Sequence, residues 1–185
     1  MKFSILWLIP CLFLCPFLAS CRKKPVATQP MGPFLPQPVP PTSFQPQGLK
    51  LSLRADPELN PFEQTPHALL AVLYQLSAPN AFNALAKDPA GIRTLLQGTP
   101  FDPSVVSADR LFLQPGERRA LPLDRAQNGR WLAVVAGYYG LAPGAVTRIL
   151  ELPAGDQDGR ACVLDLRLGR DSIQDLSFTS YGEGR

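Results

Sequence analysis

An apolar run from Phe3 to Leu18 closes on Leu18-Ala19-Ser20-Cys21, and whatever folds in this chain begins after it. The run falls short of the roughly 20 apolar residues that a bilayer span needs, and Pro10 and Pro16 interrupt it. Residues 1–20 therefore read as a signal peptide, with two small residues placing Cys21 as the lipidated first residue of the mature chain. A covalent diacylglycerol and an N-acyl chain on Cys21 bury many methylenes at about 0.8 kcal/mol each, which makes attachment effectively permanent. Arg22, Lys23 and Lys24 follow, each adding roughly 1 kcal/mol beside an anionic leaflet. No Asp follows Cys21 as an inner-membrane retention signal. The expected location is the periplasmic face of an outer membrane.

This reading also empties the fold of disulfides. Cys11 and Cys15 leave with the signal and Cys21 is capped by lipid, so Cys162 stands alone. In the strand-like run Ala161-Cys162-Val163-Leu164 it reads as a small buried apolar side chain. The fold must be held by its apolar core.

Residues 21–48 carry Pro25, Pro30, Pro33, Pro36, Pro38, Pro40, Pro41 and Pro46 with almost no apolar periodicity, the composition of a linker. As polyproline II it spans on the order of 80 Å, as a flexible coil closer to 30 Å. What remains, 49–185, is one domain large enough to bury a core. Removing Lys2, Arg22, Lys23 and Lys24 from 18 basic residues leaves 14 against 15 acidic. That near-balance argues against a nucleic-acid ligand, which needs a concentrated basic surface.

Within the domain, Leu49, Leu51 and Leu53 alternate with Lys50, Ser52 and Arg54, the period of a half-buried strand. Ala68 to Leu76 is apolar on both faces, which suits an interior strand. Leu111 and Leu113 lead into Gln114-Pro115-Gly116-Glu117, a tight turn between two strands. After a second turn at Asn128-Gly129 come strands over 130–139, 146–152, 161–168 and 173–179, at the spacing of a β-sandwich. Between Pro79 and Gly98 the period changes. Phe82, Leu85 and Ala86 share one helical face, and Ile92, Leu95 and Leu96 another after the Asp88-Pro89 start signal. Asp102-Pro103 opens a third helical turn through Val106. The fold class is mainly β, a two-sheet sandwich with a short helical insertion.

These pieces occur in an order similar to that of a known family. The lipobox, a first strand followed by Asp56-Pro57-Glu58-Leu59-Asn60-Pro61, a second strand ending Leu73-Tyr74-Gln75-Leu76, and Ala81-Phe82 opening the helices come first. Leu113-Gln114-Pro115-Gly116-Glu117 and Val134-Val135-Ala136-Gly137-Tyr138 follow. Over most of 49–152 the chain resembles TssJ, the outer-membrane lipoprotein of type VI secretion systems. The resemblance implies a transthyretin-like sandwich that anchors the trans-envelope complex. It also implies capture of the C-terminal periplasmic region of a TssM-like inner-membrane protein, with TssL an indirect partner. The family's contact is associated with the loop between the first two strands, here 56–66, where Asp56, Glu58, Leu59, Asn60, Phe62 and Glu63 are the candidate partner-binding residues. Leu59 and Phe62 would be the apolar anchors, the alternative being that both fold back as a lid on the core, and Asn60, preceding Pro61, is biased toward extended backbone. Gln64-Thr65-Pro66-His67 departs from the Gly-Arg-Pro-Ser-Pro-like entry of many relatives.

Other chemistry finds little to work with. His67 is the one histidine, no Gly-x-Ser-x-Gly elbow is present, and a Ser-His-Asp device would have to be built around it. Asp156-Gln157-Asp158-Gly159 has only part of a calcium loop and reads as a turn. No catalytic residue, metal site, cofactor or small-molecule substrate is expected. Arg118-Arg119 and Arg167 with Arg170 read as solvated faces, either of which can meet an acidic partner. The rival readings are a pilotin or assembly factor of another envelope machine, and a lipid-anchored hydrolase with a polar pocket at His67.

Overall fold

The leucine alternation is a strand with one buried face. Leu49, Leu51 and Leu53 are at most 1% exposed, whereas Lys50 and Arg54 are exposed. The computed structural model describes residues 44–154 and 160–182. In chain order its elements are β1 (Phe44–Ala55), β2 (Leu69–Leu76), α1 (Asn80–Leu85), α2 (Pro89–Leu95) and β3 (Val105–Leu113). After them come β4 (Arg118–Ala126), β5 (Trp131–Ala136), β6 (Thr147–Glu151), β7 (Cys162–Leu168) and β8 (Ile173–Tyr181). They form two four-stranded sheets, β4-β1-β7-β8 and β3-β2-β5-β6. Every pairing is antiparallel except β1 with β7. The expected sandwich with a helical insertion is the observed one. The signal peptide, Cys21, most of the linker and Asp156–Gly159 lie outside the described residues.

β2 is buried along nearly its whole length because both of its faces are covered. One face packs on the other sheet, where Gln75 donates to the Asp124 carbonyl at 2.7 Å and accepts from the Ala126 amide at 2.9 Å. The opposite face lies under the helices. The Tyr74 hydroxyl donates to the Leu95 carbonyl at 2.5 Å, and its ring stands edge-on to Phe82 and Phe101. Asp88 caps α2 by accepting from the Ala90 and Gly91 amides, both at 2.9 Å, with Pro89 in the first turn. Cys162 is buried, as its apolar run implies, with an Arg125 guanidinium nitrogen 3.3 Å from its sulfur.

Two expectations change. Strand β1 begins at Phe44, ahead of the leucine alternation that starts at Leu49, since Phe44 and Gln45 already pair with Ala126 and Arg125. Pro46 hid this start. It is tolerated because β7 joins β1 only from Leu49, which leaves 44–48 an edge, and because a bulge with Gln47 at φ 51° interrupts the register there. Asp102 starts no helix. Its carboxylate accepts from the Ser104 amide at 2.8 Å and its carbonyl from the Val105 amide at 3.0 Å, a single turn running straight into β3. The turn at 114–117 forms as expected, with the Glu117 amide donating to the Gln114 carbonyl at 3.1 Å and Gly116 at φ 74°. It carries the chain from one sheet to the other, because β3 and β4 belong to different sheets.

Candidate partner-binding site

Three connections meet at the end of the sandwich where β1 finishes. The Asp56 amide donates to the Leu168 carbonyl at 2.9 Å, and the Asp56 carbonyl accepts from Gly116 at 2.9 Å and from Leu59 at 3.0 Å. The Asn60 amide donates to the Arg170 carbonyl at 2.7 Å and the His67 amide to the Leu59 carbonyl at 3.0 Å. Loop 56–68 is thereby tied to the 114–117 turn, the 169–172 turn and its own far end. A long loop ordered in this way presents a fixed shape to solvent.

The six expected residues divide between fold and surface. Leu59 is 0% exposed and belongs to the core cluster, so it is no anchor for a partner. Asn60 is 5% exposed and structural. Its side chain accepts from the Tyr139 amide at 2.9 Å and donates to the Ala68 carbonyl at 3.3 Å. It is not extended but left-handed, at φ 49°. Its side-chain and amide hydrogen bonds hold it there against the preference set by Pro61. Asp56, half-buried, accepts from the Glu58 amide at 2.8 Å. Glu58 is exposed and paired with Arg170. Phe62 is 50% exposed, and Glu63 is exposed beside it.

Phe62 and Thr65 exchange backbone hydrogen bonds at 3.0 and 2.9 Å around Glu63 and Gln64, whose φ values are 48° and 64°. Positive φ at both central residues defines a type I′ turn, which normally calls for Asn-Gly. Here two ordinary residues carry it. Left-handed backbone costs an L-residue roughly 1–2 kcal/mol, more than the roughly 0.4–1 kcal/mol that glycine adds to the unfolded chain's entropy. Gln64→Gly is therefore expected to raise stability by up to about 1 kcal/mol in urea unfolding, and Gln64→Val to lower it.

The turn carries Phe62 onto Tyr139, with ring centroids 4.9 Å apart at 33°. His67 closes the group edge-on, 5.7 Å from Tyr139 and 6.5 Å from Phe62. Its Nδ1 lies 2.7 Å from the Thr65 carbonyl. Tyr139 is 58% exposed, so Phe62 and Tyr139 form an aromatic platform open to solvent. Beside it a cleft of about 90 Å³ is lined by Asn60, Tyr138, Gly140, Arg170 and Asp171, among others. The strand expected over 130–139 ends at Ala136, and Tyr139 lies beyond it. The adjacent pair Tyr138-Tyr139 was the available signal, because successive side chains leave a strand on opposite sides. Tyr138 points inward at 3% exposure, its hydroxyl lying 3.0 Å from the Gly169 carbonyl and 2.9 Å from the Ser172 carbonyl. Burial, reinforced by Asp171 and Asp56, pushes that phenol well above its usual range.

A larger cleft, of about 360 Å³, opens between the β3 and β4 edges and is lined by Gln75, Ser107, Asp109, Pro122, Leu123 and Asp124. Burial, and then the charge of Asp124, raises the Asp109 pKa above the usual carboxylate value. A carboxyl whose folded pKa exceeds its unfolded one favours the fold when protonated, and that contribution is lost as pH rises through the folded pKa. Asp109→Asn is expected to raise the melting temperature at neutral pH, with the gain shrinking toward pH ~4. An inward charge on an edge strand also discourages edge-to-edge pairing.

With this geometry in place, comparison identifies relatives. The family model described as type VI secretion lipoprotein, covering VasD, EvfM and TssJ, matches residues 47–171. The crystal structure of the type VI secretion lipoprotein TssJ1 from Pseudomonas aeruginosa is similar at 28% identity and a TM-score of 0.59, over 73% of this chain and 98% of that one. Lip from Serratia marcescens, a membrane-bound component of the type VI secretion system, shares the fold at 18% identity and a TM-score of 0.56, over 71% and 96%. A chain of a structure described as the TssM C-terminal domain from EAEC also shares the fold, at 18% identity and a TM-score of 0.53, over 71% and 97%. A comparison with curated proteins gives no significant match.

Proposed function

The chain belongs to the type VI secretion lipoprotein family of VasD, EvfM and TssJ, and from that premise we propose that it anchors a type VI membrane complex to the outer membrane. Lipid on Cys21 holds it at the periplasmic face, and the loop end of the sandwich captures the C-terminal periplasmic region of a TssM-like protein, which links it indirectly to TssL. The mechanism is tethering and recognition.

The observation that carries this reading is the aromatic platform. Exposed rings held by a hydrogen-bonded loop lose little conformational freedom on binding, and preordering of this kind is where affinity is gained. Large aromatic side chains also dominate the energetics of protein interfaces. Phe62 and Tyr139 are the anchors, with Asp56, Glu58 and Glu63 at the polar rim. Leu59 and Asn60 hold the loop in place from beneath.

Calorimetric titration of the full-length protein in detergent with the TssM-like C-terminal region of the same organism tests it. Saturable binding is expected for the wild type, weakened at least about 100-fold by Phe62→Asp with Tyr139→Asp. Both residues are exposed, so the far-UV spectrum should be unchanged. No binding by the wild type would return the chain to the pilotin or assembly-factor reading. Unchanged binding in the double variant would move the site elsewhere.

A further inference from the structure

On the solvent face of the β4-β1-β7-β8 sheet, the register sets Arg118, Arg54 and Arg167 side by side on three adjacent strands. All three are exposed, and neighbouring strands lie about 4.8 Å apart. Like charges directly opposite one another destabilise a sheet. Arg167 has a partner in Asp175, 3.2 Å away on β8. Arg54 and Arg118 make no ion pair with any described residue. Lys50 continues the positive face along β1, against Asp165, which lies beside Ser52. The row bordering the arginines holds the small side chains of Ala120 and Ser52, which leaves the guanidiniums standing as a ridge. Arginines remote in sequence converge here, and the tethering mechanism uses none of them.

We propose that this ridge docks a carboxylate-bearing segment of the captured partner protein, an inference that rests on the capture reading above. Charge complementarity sets the class of ligand. A planar guanidinium pairs with a carboxylate through two parallel hydrogen bonds, which a lysine ammonium does not do. Position selects a protein over the membrane. Arg54 is one residue from the end of β1, next to the loop that carries the aromatic platform, whereas the chain enters the domain at Phe44. Ten residues of strand separate them, on the order of 30 Å. A partner seated on the platform therefore lies at the ridge's end of β1, while Phe44 starts the strand at the other end.

The test is calorimetric titration of the full-length protein in detergent micelles with the TssM-like C-terminal region, repeated from low to physiological salt. Arg54→Glu with Arg118→Glu is expected to weaken binding at least about tenfold and to flatten its salt dependence. Phe62→Asp is expected to weaken binding with the salt dependence kept. Both arginines are exposed, and the single variant Arg118→Glu provides a second, milder readout. Unchanged affinity in both arginine variants overturns the ridge. If the wild type binds no TssM-like region, the capture reading fails, and an octaglutamate peptide judges the ridge alone. Wild-type binding of that peptide, lost in the double variant, supports the ridge; no binding overturns it. Displacement of the partner from the wild type by phosphatidylglycerol added to the micelles would assign the ridge to lipid headgroups and overturn the proposal.

Discussion

Leu59→Asp is expected to yield no stably folded protein, whereas Phe62→Asp, three residues along the same loop, is expected to melt within a few degrees of the wild type. Leu59 is 0% exposed and packs in the core cluster. A carboxylate there is buried in an apolar cluster, at a cost of several kcal/mol. Total stability for a domain of this kind is about 5–15 kcal/mol, so one such residue removes most of it. Phe62 at 50% exposure already meets water, and surface substitutions of that sort shift stability by roughly 0.5 kcal/mol. Leu59→Ala supplies the graded version, with an expected loss of about 2–5 kcal/mol in urea unfolding. Its partner affinity per folded molecule should stay near that of the wild type. If Leu59→Asp folds with an intact far-UV spectrum and loses the partner, then Leu59 is an anchor after all and the loop rearranges in solution.

Gly91→Ala is expected to destabilise the domain by about 3 kcal/mol or more, although glycine to alanine inside a helix ordinarily gains about 1 kcal/mol. The reversal comes from the packing of α1 on α2. A Cβ on Gly91 would lie 2.1 Å from the Leu85 carbonyl oxygen and 2.7 Å from its carbon, both backbone atoms that cannot rotate away. Relief requires α1 to move. α1 carries Phe82, 1% exposed and set edge-on to Tyr74, so its displacement opens the outer face of β2. Overpacking in a dense interior usually costs 1–3 kcal/mol, and a backbone obstacle lies at the upper end or beyond. Gly140→Ala is the control. Its Cβ would meet nothing within 4 Å, and its effect should stay within about 0.5 kcal/mol. A Gly91→Ala protein as stable as the wild type in thermal and urea unfolding would mean that the two helices do not approach as closely as described.

The strands and helices were legible because each writes a local period into the chain. Leu49, Leu51 and Leu53 mark one buried face, and Asp88-Pro89 marks a helix start whose cap is made as the residues imply. Even the doubly apolar β2 was legible as interior, although what covers its second face, the two helices, was not. Pro46 misled about where β1 starts, because whether a proline is tolerated in a strand depends on which neighbours pair alongside it.

The candidate site was legible as a segment and illegible as a surface. Loop 56–66 stood out by its length and its resemblance to a family loop, but the division of its residues into core and surface follows from hydrogen bonds to partners far away in sequence. Asn60 is turned inward by the amide of Tyr139 and the carbonyl of Ala68, which leaves Phe62 outside. Tyr139 joins Phe62 from a different loop, and no local pattern links residues so far apart.

The sequence by itself determined the elements, the lipidation signal as a reading and the family, because these depend on local periodicity and short motifs. Tertiary structure alone decided which loop residues face solvent, how a strained turn places Phe62 on Tyr139, and that Arg54, Arg118 and Arg167 stand in one row. Those outcomes depend on strand register and on which sheet each strand joins. Both are set by packing the two sheets and the helices together, a condition that no single segment of the chain contains.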